Sequence, residues 1–160
     1  MKFDLDRQQP GRSVLAVKER LHSGAPEPLP AEIELDGQLT VDNLEGRVVL
    51  LGVLRGAAPA ICDRCLDDFT CRFTAEVEII VLRNVSAVGE SETGVIHQRR
   101  GEVDLTEPLR EAALLGLPQK MLCDEDCRGI CPRCGTNRNR EACGCAEEVG
   151  DPQGEEPTEL

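Results

Sequence analysis

Tryptophan and tyrosine are absent from this 160-residue chain, and phenylalanine occurs only at Phe3, Phe69 and Phe73. Without aromatic faces there is no stacking platform of the kind many single-strand RNA binders use. The core must be built from Val, Leu, Ile and Ala, which gain less per side chain than aromatics, so an additional staple is expected. Histidine is scarce too: His22 and His97 fall in a linker-like and a loop-like stretch and read as solvated side chains rather than catalytic bases. There is no Gly-rich phosphate loop, no H-E-x-x-H pair and no nucleophile elbow. No apolar run approaches the roughly 20 residues of a membrane helix. The opening Met1 to Asp6 lacks an apolar signal core, so a cytoplasmic protein with no membrane partner is expected. Basic residues are also in short supply, 18 Lys and Arg against 30 Asp and Glu, for a net charge of −12. Such a surface repels phosphate backbones and suits a basic partner, although plain solubility explains any single charge equally well.

What the chain does have is cysteine. There are nine, an odd number that a complete set of internal disulfides cannot use, in a compartment expected to be reducing. Six fall between Cys123 and Cys145, and three lie upstream at Cys62, Cys65 and Cys71. Metals bind thiolates, and cysteines two to four residues apart let one short loop supply two of them. Cys131-Pro132-Arg133-Cys134-Gly135 is such a loop, with Pro132 stiffening the turn and Gly135 free to take the positive φ that turns N–H groups toward sulfur. Together with Cys143-Gly144-Cys145 it gives C-x2-C-x8-C-x-C, and Cys131, Cys134, Cys143 and Cys145 are predicted to bind one structural zinc.

Cys62, Cys65, Cys123 and Cys127 are the candidates for a second zinc that would clip the C-terminal module onto a strand hairpin. They can also be ordinary reduced thiols, or Cys123 or Cys127 can replace a C-x-C ligand. Cys71 reads as a small core residue. Cys127-x3-Cys131-x2-Cys134 has the spacing of a radical-SAM triad, but the chain is too short for the usual barrel. A rubredoxin-like iron site needs a second C-P-x-C-G knuckle, which the sequence lacks. Thioredoxin-type exchange needs a C-x-x-C opening a helix, whereas Cys62 and Cys65 fall between strands. An all-sulfur zinc site leaves no open position for substrate or water.

The chain in order predicts an α+β protein: an antiparallel sheet, one main helix and a C-terminal cysteine-rich zinc-knuckle module. Residues 1–12 are polar and end in a Pro10-Gly11 turn. Ser13 to Leu21 suits a strand better than a short helix, and Pro26, Pro28 and Pro30 make a linker. From Ala31 the period becomes two, with Ile33, Leu35, Leu39 and Val41 on one face. A turn over Asp42–Gly46 leads to a strand carrying Val48, Leu50, Val53 and Leu54. Phe69 to Leu82 is a third strand, with Phe69, Cys71, Phe73, Ala75, Val77, Ile79 and Val81 on one side. The segment from Asn84 to Gly101 reads as a mobile loop. Asp104 or Thr106 caps a helix with Pro108 in its first turn, ended by Gly116 and Pro118. The expected divisions are 1–120 for sheet and helix, 121–146 for the cysteine module and 147–160 for a disordered acidic tail. Asp63, Asp67 and Asp68 beside Arg64 read as a polar hairpin end before a carboxylate pair. Arg133, Arg138 and Arg140 either touch RNA phosphate or offset the charge of a zinc–tetrathiolate centre.

Cys62-Asp63-Arg64-Cys65-Leu66, Val103-Asp104-Leu105, Leu114-Leu115-Gly116-Leu117-Pro118 and the run from Leu122 to Asn137 with Cys143 and Cys145 together resemble the YceD family. These are the bacterial and plastid large ribosomal RNA subunit accumulation proteins, and the resemblance covers roughly residues 10 to 152. It implies a part in accumulation or processing of the 23S rRNA precursor, in a family whose genes often adjoin that of a large-subunit ribosomal protein. It brings no catalytic residues. The expectation is a non-enzymatic assembly factor with structural zinc, acting on large-subunit precursor rRNA or through a basic ribosomal protein. A small RNA-processing nuclease and an acidic chaperone for a basic ribosomal protein are the alternatives.

Overall fold

The computed structural model describes residues 1–26, 29–83, 95–98 and 100–145. Its elements are β1 (Lys2–Asp4), β2 (Gly11–His22), β3 (Glu32–Leu44), β4 (Arg47–Ile61), β5 (Asp68–Leu82), β6 (Val95–His97), β7 (Glu102–Asp104) and α1 (Thr106–Gly116). One sheet runs in the order β2-β3-β4-β5-β6, and β1 pairs with β7 in a second, two-stranded sheet. The α+β architecture is as expected. The acidic tail 147–160 and most of the segment read as a mobile loop lie outside the described residues.

Alternation of apolar and polar side chains builds the long strands. On β3, Ile33, Leu35, Leu39 and Val41 are buried, while Glu32, Glu34, Asp36 and Gln38 face water. The apolar set of β5 is buried the same way from Ala75 to Val81. β2 is a strand, paired residue by residue with β3 from Gly11↔Asn43 to His22↔Glu32. Val17 and Leu21 of it are buried in the core and half-buried Leu15 packs against it, whereas Val14 is exposed. On β4 the pleat separates two neighbours expected to act together: Leu54 is fully buried and Val53 is 59% exposed. Gly56 lies opposite Phe73. A Cβ there would collide with the ring, so the aromatic covers the bare glycine backbone.

Three expectations change. The turn after β3 narrows to Glu45-Gly46, since Leu44 pairs with Arg47. Residues 42–44 stay in the strand because Asp42 binds Arg12 and the Asn43 amide donates to the carbonyls of Gln8 and Gln9. The sheet is not wholly antiparallel, because β6 runs parallel to the end of β5 through Ile80↔Val95. The first residues are not merely polar: Phe3 pairs with Val103, and both are buried with Leu5.

α1 starts at Thr106, whose N–H donates to the Asp104 carboxylate at 2.9 Å, so Asp104 serves the first turn and Thr106 lies inside the helix. Leu105, Leu109 and Ala113 face the core. The helix packs on β5 and also touches β2, and Arg110 donates to the Ser23 carbonyl at the end of β2 at 2.7 Å. The sheet therefore curls around one aliphatic core, with α1 spanning its sides. At Gly116 any side chain would strike the Thr74 carbonyl of β5, so this glycine ends the helix and permits its close approach.

Candidate metal centres

Beyond Ile61↔Asp68 the β4–β5 hairpin closes in a tight loop. The Cys62 N–H donates to the Asp67 carbonyl at 2.9 Å and the Leu66 N–H to the Cys62 carbonyl at 2.9 Å. Leu66 takes φ 61, a left-handed conformation unusual for a branched side chain. The same loop recurs in the C-terminal segment. Ile130 bridges Asn137, the Cys131 N–H donates to the Thr136 carbonyl at 2.8 Å, the Gly135 N–H donates to the Cys131 carbonyl at 2.9 Å, and Gly135 has φ 73. Both are knuckles of one shape, suited to presenting two thiols to a metal. The second knuckle that the sequence seemed to lack is therefore present, built on C-D-R-C-L in place of C-P-R-C-G. It was missed because leucine occupies the position glycine usually takes.

Each knuckle meets a different second pair. Cys62 and Cys65 come together with Cys123 and Cys127, and Cys131 and Cys134 with Cys143 and Cys145; within each group all sulfurs lie within 4.8 Å of one another. In the first group the Cys62–Cys127 and Cys65–Cys123 sulfurs are 3.7 and 3.6 Å apart. That is far beyond a disulfide bond of about 2.05 Å. It matches the edge of about 3.8 Å expected when four sulfurs stand about 2.3 Å from one tetrahedral ion. The donor sets fit a closed four-thiolate site for zinc or another thiophilic ion. All nine cysteines are free thiols.

The electrostatics point the same way. Burial pushes the Cys62 thiol up, but N–H donors from Cys123, Cys65 and Arg64 outweigh it and bring it down to about 6. In the matching knuckle the N–H groups of Cys134 and Arg133 bring Cys131 down to about 6. The opposing thiols move the other way: Cys123, facing Cys65, goes up to about 12, and Cys145, facing Cys134, to about 11. Sulfurs this close compete for negative charge, and a bound dication would let all four ionise.

The two centres differ in depth. Cys62, Cys65 and Cys127 are buried against Phe69 and Leu122, whereas only Cys131 of the second group is buried. Side chains around the first group orient it. The Asn139 amide donates to the Cys127 sulfur at 3.2 Å, and its oxygen accepts the Arg128 N–H at 2.7 Å. Arg64 donates to the Cys127 carbonyl at 3.0 Å, and the Arg64 carbonyl accepts the Ile130 N–H. Asp63 accepts the Met121 N–H at 2.7 Å. Asp67 accepts from Asn137 and Arg140, at 2.9 and 3.0 Å. Asp63 and Asp67 thus stitch the cysteine segment to the hairpin, and Arg140 is engaged in doing so.

Cys71 belongs to neither group. It is buried on β5, and burial pushes its thiol up, which keeps it protonated and unreactive. Cys71→Ala is expected to leave metal content unchanged by elemental analysis and to cost about 1 kcal/mol in denaturant unfolding. Loss of a metal equivalent would contradict this assignment.

The family model described as "Large ribosomal RNA subunit accumulation protein YceD" matches residues 50–155, starting within β4 rather than near residue 10. An uncharacterized protein of Mycobacterium tuberculosis is 30% identical over 105 residues, 63% of this chain and 50% of the relative. One of Mycobacterium leprae is 29% identical over 109 residues, 67% of this chain and 49% of the relative. The chloroplastic large ribosomal RNA subunit accumulation protein YCED homolog 1 of Arabidopsis thaliana is 34% identical over 50 residues, 31% of this chain and 16% of the relative. The chain thus spans about half the length of the mycobacterial relatives it matches. No solved structure matches it. The family match takes in both knuckles, all nine cysteines and about two thirds of the sequence, and the chain belongs to the YceD family of large ribosomal RNA subunit accumulation proteins.

Proposed function

We propose that this chain supports accumulation or processing of the large-subunit 23S rRNA precursor in the cytoplasm, as a non-enzymatic assembly factor held together by two structural zinc ions. The observation that carries the reading is the family match across both cysteine groups. Two further features support a docking role over hydrolysis. All-sulfur ligand sets give a metal-bound water no place, and Asp63 and Asp67 are spent on structural hydrogen bonds. The partner is the precursor rRNA itself or, as the −12 charge favours, a basic ribosomal protein.

The test is the ratio of precursor to mature 23S rRNA on RNA blots after depletion of the protein in its host. Depletion should raise the ratio, and the wild-type chain should restore it. Asp63→Asn/Asp67→Asn/Asp68→Asn should restore it as well where the variant is folded and metal-loaded: an amide oxygen at 63 still accepts the Met121 N–H, and one at 67 keeps one of the two bonds that Asp67 accepts on separate oxygens. An unchanged ratio on depletion overturns the reading. A triple variant that is folded and metal-loaded yet fails to rescue favours the nuclease alternative.

A further inference from the structure

The outer face of β4 and β5, turned away from the core, meets the flank of α1 in an open groove of about 720 Å³, continued toward β6 by a second hollow of about 390 Å³. Its floor and wall carry exposed apolar side chains. Leu51 is 40% exposed, Val53 59% and Leu115 81%. Strand register sets Val53 opposite Glu76 and Leu51 opposite Glu78, and Glu111 of α1 flanks them. No lysine, arginine or histidine among the described residues lines either hollow.

The charge of this groove is not balanced as it is elsewhere on the same face. On β3, Glu34, Asp36 and Asp42 each hold an arginine, from Arg20, Arg55 and Arg12. Among the described residues, neither Glu76 nor Glu78 is in an ion pair. The sheet surface is thus neutralised over β2 to β4 and left acidic where it is also apolar and concave. RNA does not suit such a site: its phosphates are repelled and its bases find no aromatic ring.

We propose that the groove between the β4–β5 outer face and α1 docks a basic amphipathic segment of a protein partner, its apolar side chains seated on Leu51, Val53 and Leu115 and its lysines or arginines facing Glu76, Glu78 and Glu111. The proposal rests on the docking reading above and gives it a surface and a partner chemistry. Such a segment lays one apolar face into a hydrophobic groove and sets its cations on an acidic rim.

The probe is a dye-labelled amphipathic leucine–lysine peptide of about 16 residues, titrated against the metal-loaded full chain by fluorescence anisotropy. Val53→Ser/Leu115→Ser and Glu76→Lys/Glu78→Lys should each weaken binding about tenfold or more. All four positions are exposed, so circular dichroism and metal content should not change. Glu45→Lys/Glu141→Lys, the same charge change at exposed sites outside the groove, should leave binding within about twofold. Equal loss in both charge-reversal variants would mean a response to net charge alone, and no loss in the groove variants would mean binding elsewhere; either overturns the proposal. So would a single-stranded RNA that binds the wild type and is weakened by Val53→Ser/Leu115→Ser, or sedimentation showing a dimer that this substitution dissociates. If the peptide result fails while depletion still raises precursor rRNA, the groove assignment alone is wrong. If the peptide binds as described but depletion leaves rRNA unchanged, the ribosomal reading fails and the groove stands.

Discussion

Substituting Cys62 with serine is expected to remove one equivalent of metal and to release the segment from residue 121 to 145 from the sheet, while β2 to β5 stay folded. Cys62 and Cys127 are 65 positions apart in sequence, and Cys65 and Cys123 are 58 apart, yet their sulfurs nearly touch. An ion at this centre closes a long loop, and structural zinc contributes on the order of 10 kcal/mol to such folding. The remaining ties, from Asp63, Asp67, Arg64 and Asn139, are each worth about 1 to 3 kcal/mol and would depend on the ordering a bound metal imposes. Cys131→Ser or Cys134→Ser should act more locally, removing the other equivalent and unfolding the hairpin around Ile130 and Asn137. Hydrogen exchange separates the cases: Cys62→Ser should expose amides from 121 onward, and Cys131→Ser chiefly those from 129 onward. Acid should imitate both, because protons compete with the ion for every thiolate. A Cys62→Ser protein that keeps its full metal content and its C-terminal protection would remove the first centre from the account.

Leu54→Ala should cost about 2 to 5 kcal/mol and lower the melting temperature by roughly 5 to 20 °C for a chain of this length, without releasing metal. Leu54 is fully buried and lies so close beneath Gly37 that a Cβ on that glycine would come within 2.9 Å of it. The cost lies toward the upper or lower end of that range as the surrounding side chains fill less or more of the space left behind. The adjacent Val53→Ala should cost about 0.5 kcal/mol or less, since Val53 is on the outer face. Equal effects at the two positions would mean that the pleat assigned to β4 is wrong.

The sequence made the interior of the sheet legible because strand alternation survives wherever one face is buried. Ile33 to Val41 and Ala75 to Val81 are buried along the face their pattern marks. Legibility ended where elements are too short to show a period. Lys2–Asp4 and Glu102–Asp104 make sense only as partners of each other, and Val95–His97 only beside β5. In β4 the doublet Val53-Leu54 hid which parity was buried. In the candidate site, the spacing C-x2-C-x8-C-x-C pointed to one group of four sulfurs. The second group was readable only as a candidate set beside ordinary reduced thiols, because it joins residues some sixty positions apart, and proximity of that kind is created by the hairpin and the helix together. The twin knuckle at Cys62 escaped notice because Leu66 adopts a backbone conformation that a leucine does not advertise. The groove on the β4–β5 face was invisible for a related reason: Val53 reads together with Val48, Leu50 and Leu54, and no sequence pattern marks Leu51 or Leu115 as exposed.

On the reading proposed above, eight of the nine thiols hold two ions. Native mass spectrometry of the folded chain, followed by brief alkylation before and after a strong chelator, tests this directly. The expected result is two zinc ions per chain, with eight cysteines protected until the chelator is added and Cys71 shielded by the sheet until the protein unfolds. A folded protein that carries no metal, alkylates freely outside the core and is unmoved by the chelator would contradict it.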